Sequence, residues 1–246
     1  MAKLEEIKQY WNLRSQGYSE HNREELDDEN RIRWVNTIMR YAPEQERLHI
    51  LDIGCGPGFF SILMAQCGHE VTGVDYSEEM LAHAVENAKM MHQHVTFRRM
   101  DAQHLDFENE SFDLIISRNV TWCLEDPVQA YREWLRVLRT GGKIVNFDGN
   151  HYLDRFDEAF ADATVAERQE SDECHRKYIK NVDPAIISNI ALELPLSKEK
   201  RPEWDFVTLV ALGAHKFDVE LYHHTQVQKG KEKEFYAKSF VLSAQK

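Results

Sequence analysis

The sequence predicts an α/β fold, a sheet with helices on both faces, and three observations carry that expectation. Short apolar runs alternate with helical patterns from Leu48 to Phe147, a glycine cluster (Gly54, Gly56, Gly58) closes the first run, and two later apolar stretches suit an antiparallel hairpin. Ahead of them, apolar residues fall at helical spacing from Leu4 through Ile7 and Trp11. A second helical stretch runs from about Arg23 to Tyr41 and is closed by Pro43. Leu48–Ile53 then reads as the first strand, followed by a tight loop and a helix.

The next units repeat that parse. Glu70–Asp75 is a strand, Ser77 caps a helix to about Met91, and Val95–Met100 is a third strand. Phe112–Ser117 is a fourth. Asp126-Pro127 opens a helix, Asp as cap and Pro in the first turn, that runs to Thr140 before Gly141-Gly142, and Lys143–Phe147 is the fifth strand. Strands alternating with helices imply parallel pairing. From about Tyr152 to Lys200 the chain is charge-rich and helical in flavour, with Phe156 and Phe160 one turn apart, and reads as an insertion or lid. After Arg201-Pro-Glu-Trp-Asp205 and a short apolar helix to Gly213, Lys216–Tyr222 and Glu234–Leu242 form strands around a loop at Lys229-Gly-Lys231. We expect one domain over 1–246: a helical cap (1–45), a core of alternating strands and helices (46–150), the lid (151–200) and a closing helix and strand pair (201–246).

With 42% hydrophobic and 29% charged residues, the 246-residue chain has the composition of an ordinary globular protein. Its 30 Lys and Arg against 42 Asp and Glu give a net charge of −12, a field that disfavours nucleic acid and anionic membrane as partners. Four cysteines without a CxxC pair fit a reducing compartment, and neither a signal peptide nor an apolar span of membrane length is evident, so the expected location is cytoplasmic.

The chemistry concentrates at Asp52-Ile-Gly54-Cys55-Gly56-Pro-Gly58. Glycines let the backbone approach a ligand closely, and the helix that follows offers unpaired N–H groups. About twenty residues on, Asp75 ends the second strand, where a carboxylate can accept from both hydroxyls of a ribose. Gly58 is followed by Phe59-Phe60-Ser61 rather than Gly-Lys-Ser/Thr, which disfavours a phosphate-gripping P-loop, and the third glycine falls one place early for a dinucleotide fingerprint.

On these residues the chain resembles the class I S-adenosylmethionine-dependent methyltransferases, whose first motif is an acidic residue followed by Gly-x-Gly-x-Gly. The resemblance covers about Leu48 to Lys246 and is similar to bacterial members that tailor metabolites and peptides. It implies a Rossmann-like sheet, mostly parallel with the last strand antiparallel, and S-adenosylmethionine as cofactor, with S-adenosylhomocysteine as product. By matching position, it implies that the Gly54–Gly58 loop, with Asp52 and Cys55, meets the methionine part. Asp75 would hold the ribose, Tyr76 would join the cofactor-binding set, Met80 would sit beside the adenine, and Asp101 and Ala102 would bind its edge. Ser117, Arg118 and Asn119 would line the amino group and the methyl-transfer channel. An N-terminal Trp-x-x-Arg-x-x-x-Tyr found in many relatives matches Trp11, Arg14 and Tyr18 and implies an arm folded over the cofactor.

Trp11 and Tyr18 also suit simple burial of the first helix. Arg14 between them needs an anion, either the methionine carboxylate or one of Glu5, Glu6 and Glu20. Methyl transfer from a sulfonium is an in-line displacement that rests on positioning, so the acceptor is read from what surrounds the channel. Ser117–Trp122 lacks the Asn/Asp-Pro-Pro-Tyr/Phe of amino-base methyltransferases, only Glu125 lies where arginine methyltransferases carry two glutamates, and Asp148-Gly149-Asn150 is a near miss of the catechol-type metal site. His92-x-His94 and Cys174-His175 lack further partners at ligand spacing, so no metal is expected.

Asn119, Trp122, His151 and Tyr152 are the candidates to face substrate. His151, just past the fifth strand, is the candidate general base or else a loop histidine. Arg118 is the candidate clamp for an acceptor carboxylate, or pairs with Asp113 or Glu125. The lid mixes Arg155, Arg168, Arg176 and Lys177 with more numerous acids, which suits a small molecule or peptide end rather than a polyanion. The expected reaction is methylation of an oxygen, carboxylate or hydroxyl, with an amine acceptor or a non-catalytic sensor as alternatives.

Overall fold

The computed structural model describes residues 2–164, 177–229 and 232–246. Its centre is a sheet of seven strands: β1 His49–Ile53, β2 Glu70–Asp75, β3 Thr96–Arg99, β4 Phe112–Arg118, β5 Leu138–Gly149, β6 His215–Lys229 and β7 Glu232–Gln245. Their order is β3-β2-β1-β4-β5-β7-β6. The first five strands pair in parallel, whereas β7 runs antiparallel to both β5 and β6. Order reverses between β1 and β4, so the crevice at their carboxyl ends is where this topology places a ligand.

The central strands are apolar throughout because both faces are covered. Leu51, Ile53 and Ile115 join one core, and the alternating Ile50, Leu114 and Ile116 join the other. Helix α5 (Pro127–Val137) brings Tyr131, Trp134 and Leu135 to the first, while α2 (Arg31–Tyr41) and α3 (Phe59–Gln66) bring Ile38, Phe60 and Leu63 to the second. The Ser77 hydroxyl accepts from the Met80 N–H at the start of α4 (Glu78–Met90), and the Asp126 carboxylate accepts from the Gln129 N–H at the start of α5, as the sequence predicts.

Several boundaries move. The leading helix α1 runs unbroken over Ala2–Asp27, and the break before α2 falls at 28–30, where the Asp28 carboxylate accepts from the Asn30 N–H at 2.7 Å. Helix α5 stops at Val137 rather than Thr140, because the Val137 carbonyl accepts from Ser111 N–H and Leu138 pairs with Phe112, so strand pairing takes over from the helix. The closing hairpin is longer than expected at both strands. In the lid segment the described residues hold helical turns at Leu153–Arg155 and Pro195–Ser197 and the helix α6 Pro184–Ala191, followed by α7 Glu203–Ala211. Arg168, Cys174, His175, Arg176, Gly230 and Lys231 lie outside the described residues.

Candidate active site

A cleft with a cavity volume of 200 Å³ opens at the carboxyl ends of β1, β2 and β4 and is roofed by α1. Its floor is the loop after β1. Gly54 and Gly56 have φ of +64° and +51°, and a Cβ on Gly54 would lie 2.2 Å from Val120 Cγ2, so both the backbone conformation and the close approach require glycine. Asp75 orders this loop: its Oδ2 accepts from the Gly56 N–H and its Oδ1 from the Ser77 N–H, each at 2.9 Å. Each oxygen keeps a lone pair for a further donor. Asp52 lies beneath, accepting from the Ser61 hydroxyl at 2.6 Å, and burial pushes its carboxyl up to about 7 against the pull of that hydrogen bond.

Helix α1 is tied over the cleft by polar contacts to α4 and the β2 end. The Tyr76 hydroxyl donates to Glu5, the Ser77 hydroxyl to Asn12 and Arg23 to Asn87, at 3.1, 2.6 and 2.6 Å. Trp11, Arg14 and Tyr18 therefore all line the cavity, as do Met80, Asp101 and Ala102 on the opposite wall. Arg14 is only 9% exposed, between the rings of Tyr10 and Tyr18. One Nη donates to the Tyr10 hydroxyl at 3.0 Å, and among the described residues its Nε has no partner. The acids named as alternative partners are committed elsewhere: Glu5 to Lys8 and Tyr76, Glu6 to Lys3, Glu20 to Lys180. A buried guanidinium that faces the cavity and is paired with no carboxylate among the described residues is a site for an anion.

Arg118 is placed differently from expectation. Asp113 is taken by Arg139 and the His49 N–H, and Glu125 accepts from the Leu4 N–H; Arg118 instead makes a forked pair with Glu25, at 3.1 and 2.9 Å, against Trp34, Phe59 and Phe60. Its charge is thus neutralised within the protein, which corrects the picture of a free carboxylate clamp. Gly58 caps α3 against Phe97 and Ala84, and Ser117 is fully buried; neither lines the cleft.

Asn119 does line it, held at φ +57° with its N–H on the Phe147 carbonyl. His151 and Tyr152 each pack at a tilt against Trp122, which meets Trp11 edge-on, and all three stand outside the cavity lining. His151 Nε2 lies 3.1 Å from Asp148 Oδ1, with its side chain 35% exposed.

Sequence reasoning missed what holds that corner. Asp148, at the end of β5, receives Arg201 at 3.0 Å, the Trp122 N–H at 3.2 Å and the Thr121 hydroxyl, and Arg201 also pairs with Asp205 at 2.6 Å. Burial alone would raise the Asp148 carboxyl, but Arg201, His151 and Thr121 hold it well below the usual carboxylate range. The i,i+4 spacing of Arg201 and Asp205 was the available signal.

Comparison with known proteins agrees with this geometry. Residues 51–146 match the family described as a methyltransferase domain. YqeM of Bacillus subtilis is 34% identical over 141 residues, 56% of this chain and 55% of that protein. A malonyl-[acyl-carrier protein] O-methyltransferase of Erwinia pyrifoliae is 38% identical over 109 residues, 44% of this chain and 40% of that one. The chain thus spans about half the length of the curated relatives it matches. A solved SAM-dependent methyltransferase of Thermotoga maritima superimposes over 96% of this chain and 99% of its own, with TM-score 0.58 and 18% identity, a likeness of fold. Residues 51–146 thus match a methyltransferase-domain family, on a fold like that of solved S-adenosylmethionine-dependent methyltransferases.

Proposed function

We propose that the protein binds S-adenosylmethionine in the α1-roofed cleft and methylates an oxygen, carboxylate or hydroxyl, of a small metabolite or modified peptide. The observation that carries the cofactor reading is Arg14, a buried guanidinium whose Nε has no partner among the described residues, and for which Glu5, Glu6 and Glu20 are engaged elsewhere. The residues present fit the group. Arg14 would hold the methionine carboxylate, the Gly54–Gly56 backbone the methionine chain, Asp75 the ribose, and Met80, Asp101 and Ala102 the adenine side. When bound, the cofactor supplies an electrophilic methyl on a sulfonium.

Around it this chain's residues position and exclude water: Trp11, Tyr18 and Phe59 line the cavity, and Arg118 and Asn119 line its β4 end. At the β4 end of the cleft Glu25 is already paired with Arg118 rather than open to an ammonium, which supports an uncharged or anionic acceptor beside that pair. Among the described residues no helix is long and apolar enough to cross a membrane, which is compatible with the cytoplasmic location we infer.

The test is transfer of label from methyl-labelled S-adenosylmethionine into fractionated small metabolites and peptides, followed by mild base. Label released as methanol marks a carboxylate acceptor and base-stable label on oxygen a hydroxyl. Label found only on nitrogen, or tight cofactor binding with no transfer to any fraction, would contradict the proposal.

A further inference from the structure

A second cavity, of 480 Å³, lies over the ends of β4 and β5, between α2 on one side and β6 and β7 on the other. It shares Arg118 and Asn119 with the cofactor cleft, so those two residues stand between the two spaces. Its size suits one small molecule. Its walls divide chemically. One part is aromatic: Trp34 from α2, Phe147 from β5, Tyr222 from β6 and Phe240 from β7. The rim is cationic, formed by Arg31 and Arg33.

The charges do not cancel within the protein. Three arginines and three acids line the space, but Glu25 is committed to Arg118 and Asp148 to Arg201. Arg31 gives one Nη to the Leu26 carbonyl at 2.8 Å, and Arg33 lies 5.7 Å over the Tyr222 ring; neither has a carboxylate partner among the described residues. Asp28 is the remaining acid, and one of its oxygens already accepts from the Asn30 N–H. His223, also on the wall, is 2.9 Å from the Ser239 hydroxyl. Two guanidiniums against one partly engaged carboxylate leave the rim an excess positive charge, and a guanidinium fork matches a carboxylate in shape as well as in sign.

We propose that this cavity is the acceptor site and takes a flat aromatic compound bearing a carboxylate, its ring on the aromatic wall, its anion at Arg31 and Arg33, and its methyl-accepting oxygen at the Arg118–Asn119 junction. The assignment rests on the reading of the neighbouring cleft as the cofactor site. Arg31 and Arg33 act here as specificity determinants, selecting by charge at the end of the molecule remote from the reacting oxygen.

The experiment is calorimetric titration of the full chain, saturated with S-adenosylhomocysteine, with 4-hydroxybenzoate, 4-hydroxycinnamate and 3-(4-hydroxyphenyl)propanoate, each against its neutral amide. The expected result is at least a tenfold preference for one or more of the acids over its amide. In Arg31→Met/Arg33→Met, which keeps the side-chain stems, that preference falls below threefold while S-adenosylhomocysteine affinity changes less than twofold. Normal S-adenosylhomocysteine binding with no acid preferred over its amide overturns the acceptor assignment alone, and so does a preference that survives in the double variant. Failure of S-adenosylhomocysteine to bind overturns the cofactor reading and this one with it. The wild-type comparison stands even if the double variant does not fold.

Discussion

Arg14→Met isolates the interaction on which the cofactor reading depends. The guanidinium is 9% exposed, carries one hydrogen bond to Tyr10 and keeps a buried Nε without a partner among the described residues, so an arriving carboxylate would gain charge-assisted bonding without displacing any of their acids. Hydrogen bonds to charged groups contribute about 1.5–3 kcal/mol, and at about 1.4 kcal/mol per decade their loss weakens binding by roughly 10- to 150-fold. Methionine retains the apolar stem between the rings of Tyr10 and Tyr18, so packing of the arm changes little. The assay is calorimetric titration with two ligands, S-adenosylhomocysteine and 5′-methylthioadenosine, which share the nucleoside but differ in the amino-acid carboxylate. The variant should lose affinity for the first by that factor and keep its affinity for the second. Equal weakening of both would mean that Arg14 acts by shaping the arm, and unchanged binding of both would place the carboxylate elsewhere; either result refutes the reasoning.

Gly54→Ala should lower both thermal stability and cofactor affinity, because its φ of +64° and a Cβ 2.2 Å from Val120 Cγ2 make alanine strained and crowded, a cost of about 1–3 kcal/mol readable by urea unfolding. Arg201→Met should destabilise by about 3–5 kcal/mol, since it leaves Asp148 and Asp205 buried without their counter-charge, and a loss under about 1 kcal/mol would contradict that account. Asp52, its carboxyl raised to about 7 by burial, favours the neutral form when folded. Its stabilising contribution is complete below the unfolded value of about 3.9 and is lost as pH rises to about 7, so Asp52→Asn should show a smaller fall in melting temperature than wild type between pH 5 and 8.

The features legible from sequence are those set by a residue and its near neighbours. Glycine at a strand end is read directly because Gly54 and Gly56 need positive φ, and Asp75 because a carboxylate about twenty residues on, at the end of β2, stands where a ribose is held; that it also orders the glycine loop is visible only in the fold. The caps at Ser77 and Asp126 are equally local. What escaped was decided at long range. Arg118 pairs with Glu25 from a helix 93 residues earlier rather than with the nearer Asp113 or Glu125, and both of those are satisfied by groups that only the fold brings close. The end of α5 follows strand pairing at Phe112 rather than the Gly141-Gly142 signal. The Arg201–Asp205 pair shows its helical spacing in sequence, but that it is fully buried against Asp148 follows from the sheet order alone.

The most direct test of the central claim is a crystal structure of the protein with S-adenosylhomocysteine. The account predicts the ligand in the cleft beneath α1, its carboxylate on Arg14, its ribose hydroxyls on Asp75, its adenine between Met80 and Asp101, and its sulfur facing the Arg118–Asn119 opening. Ligand bound elsewhere, or with its carboxylate turned away from Arg14 and its ribose off Asp75, would contradict it.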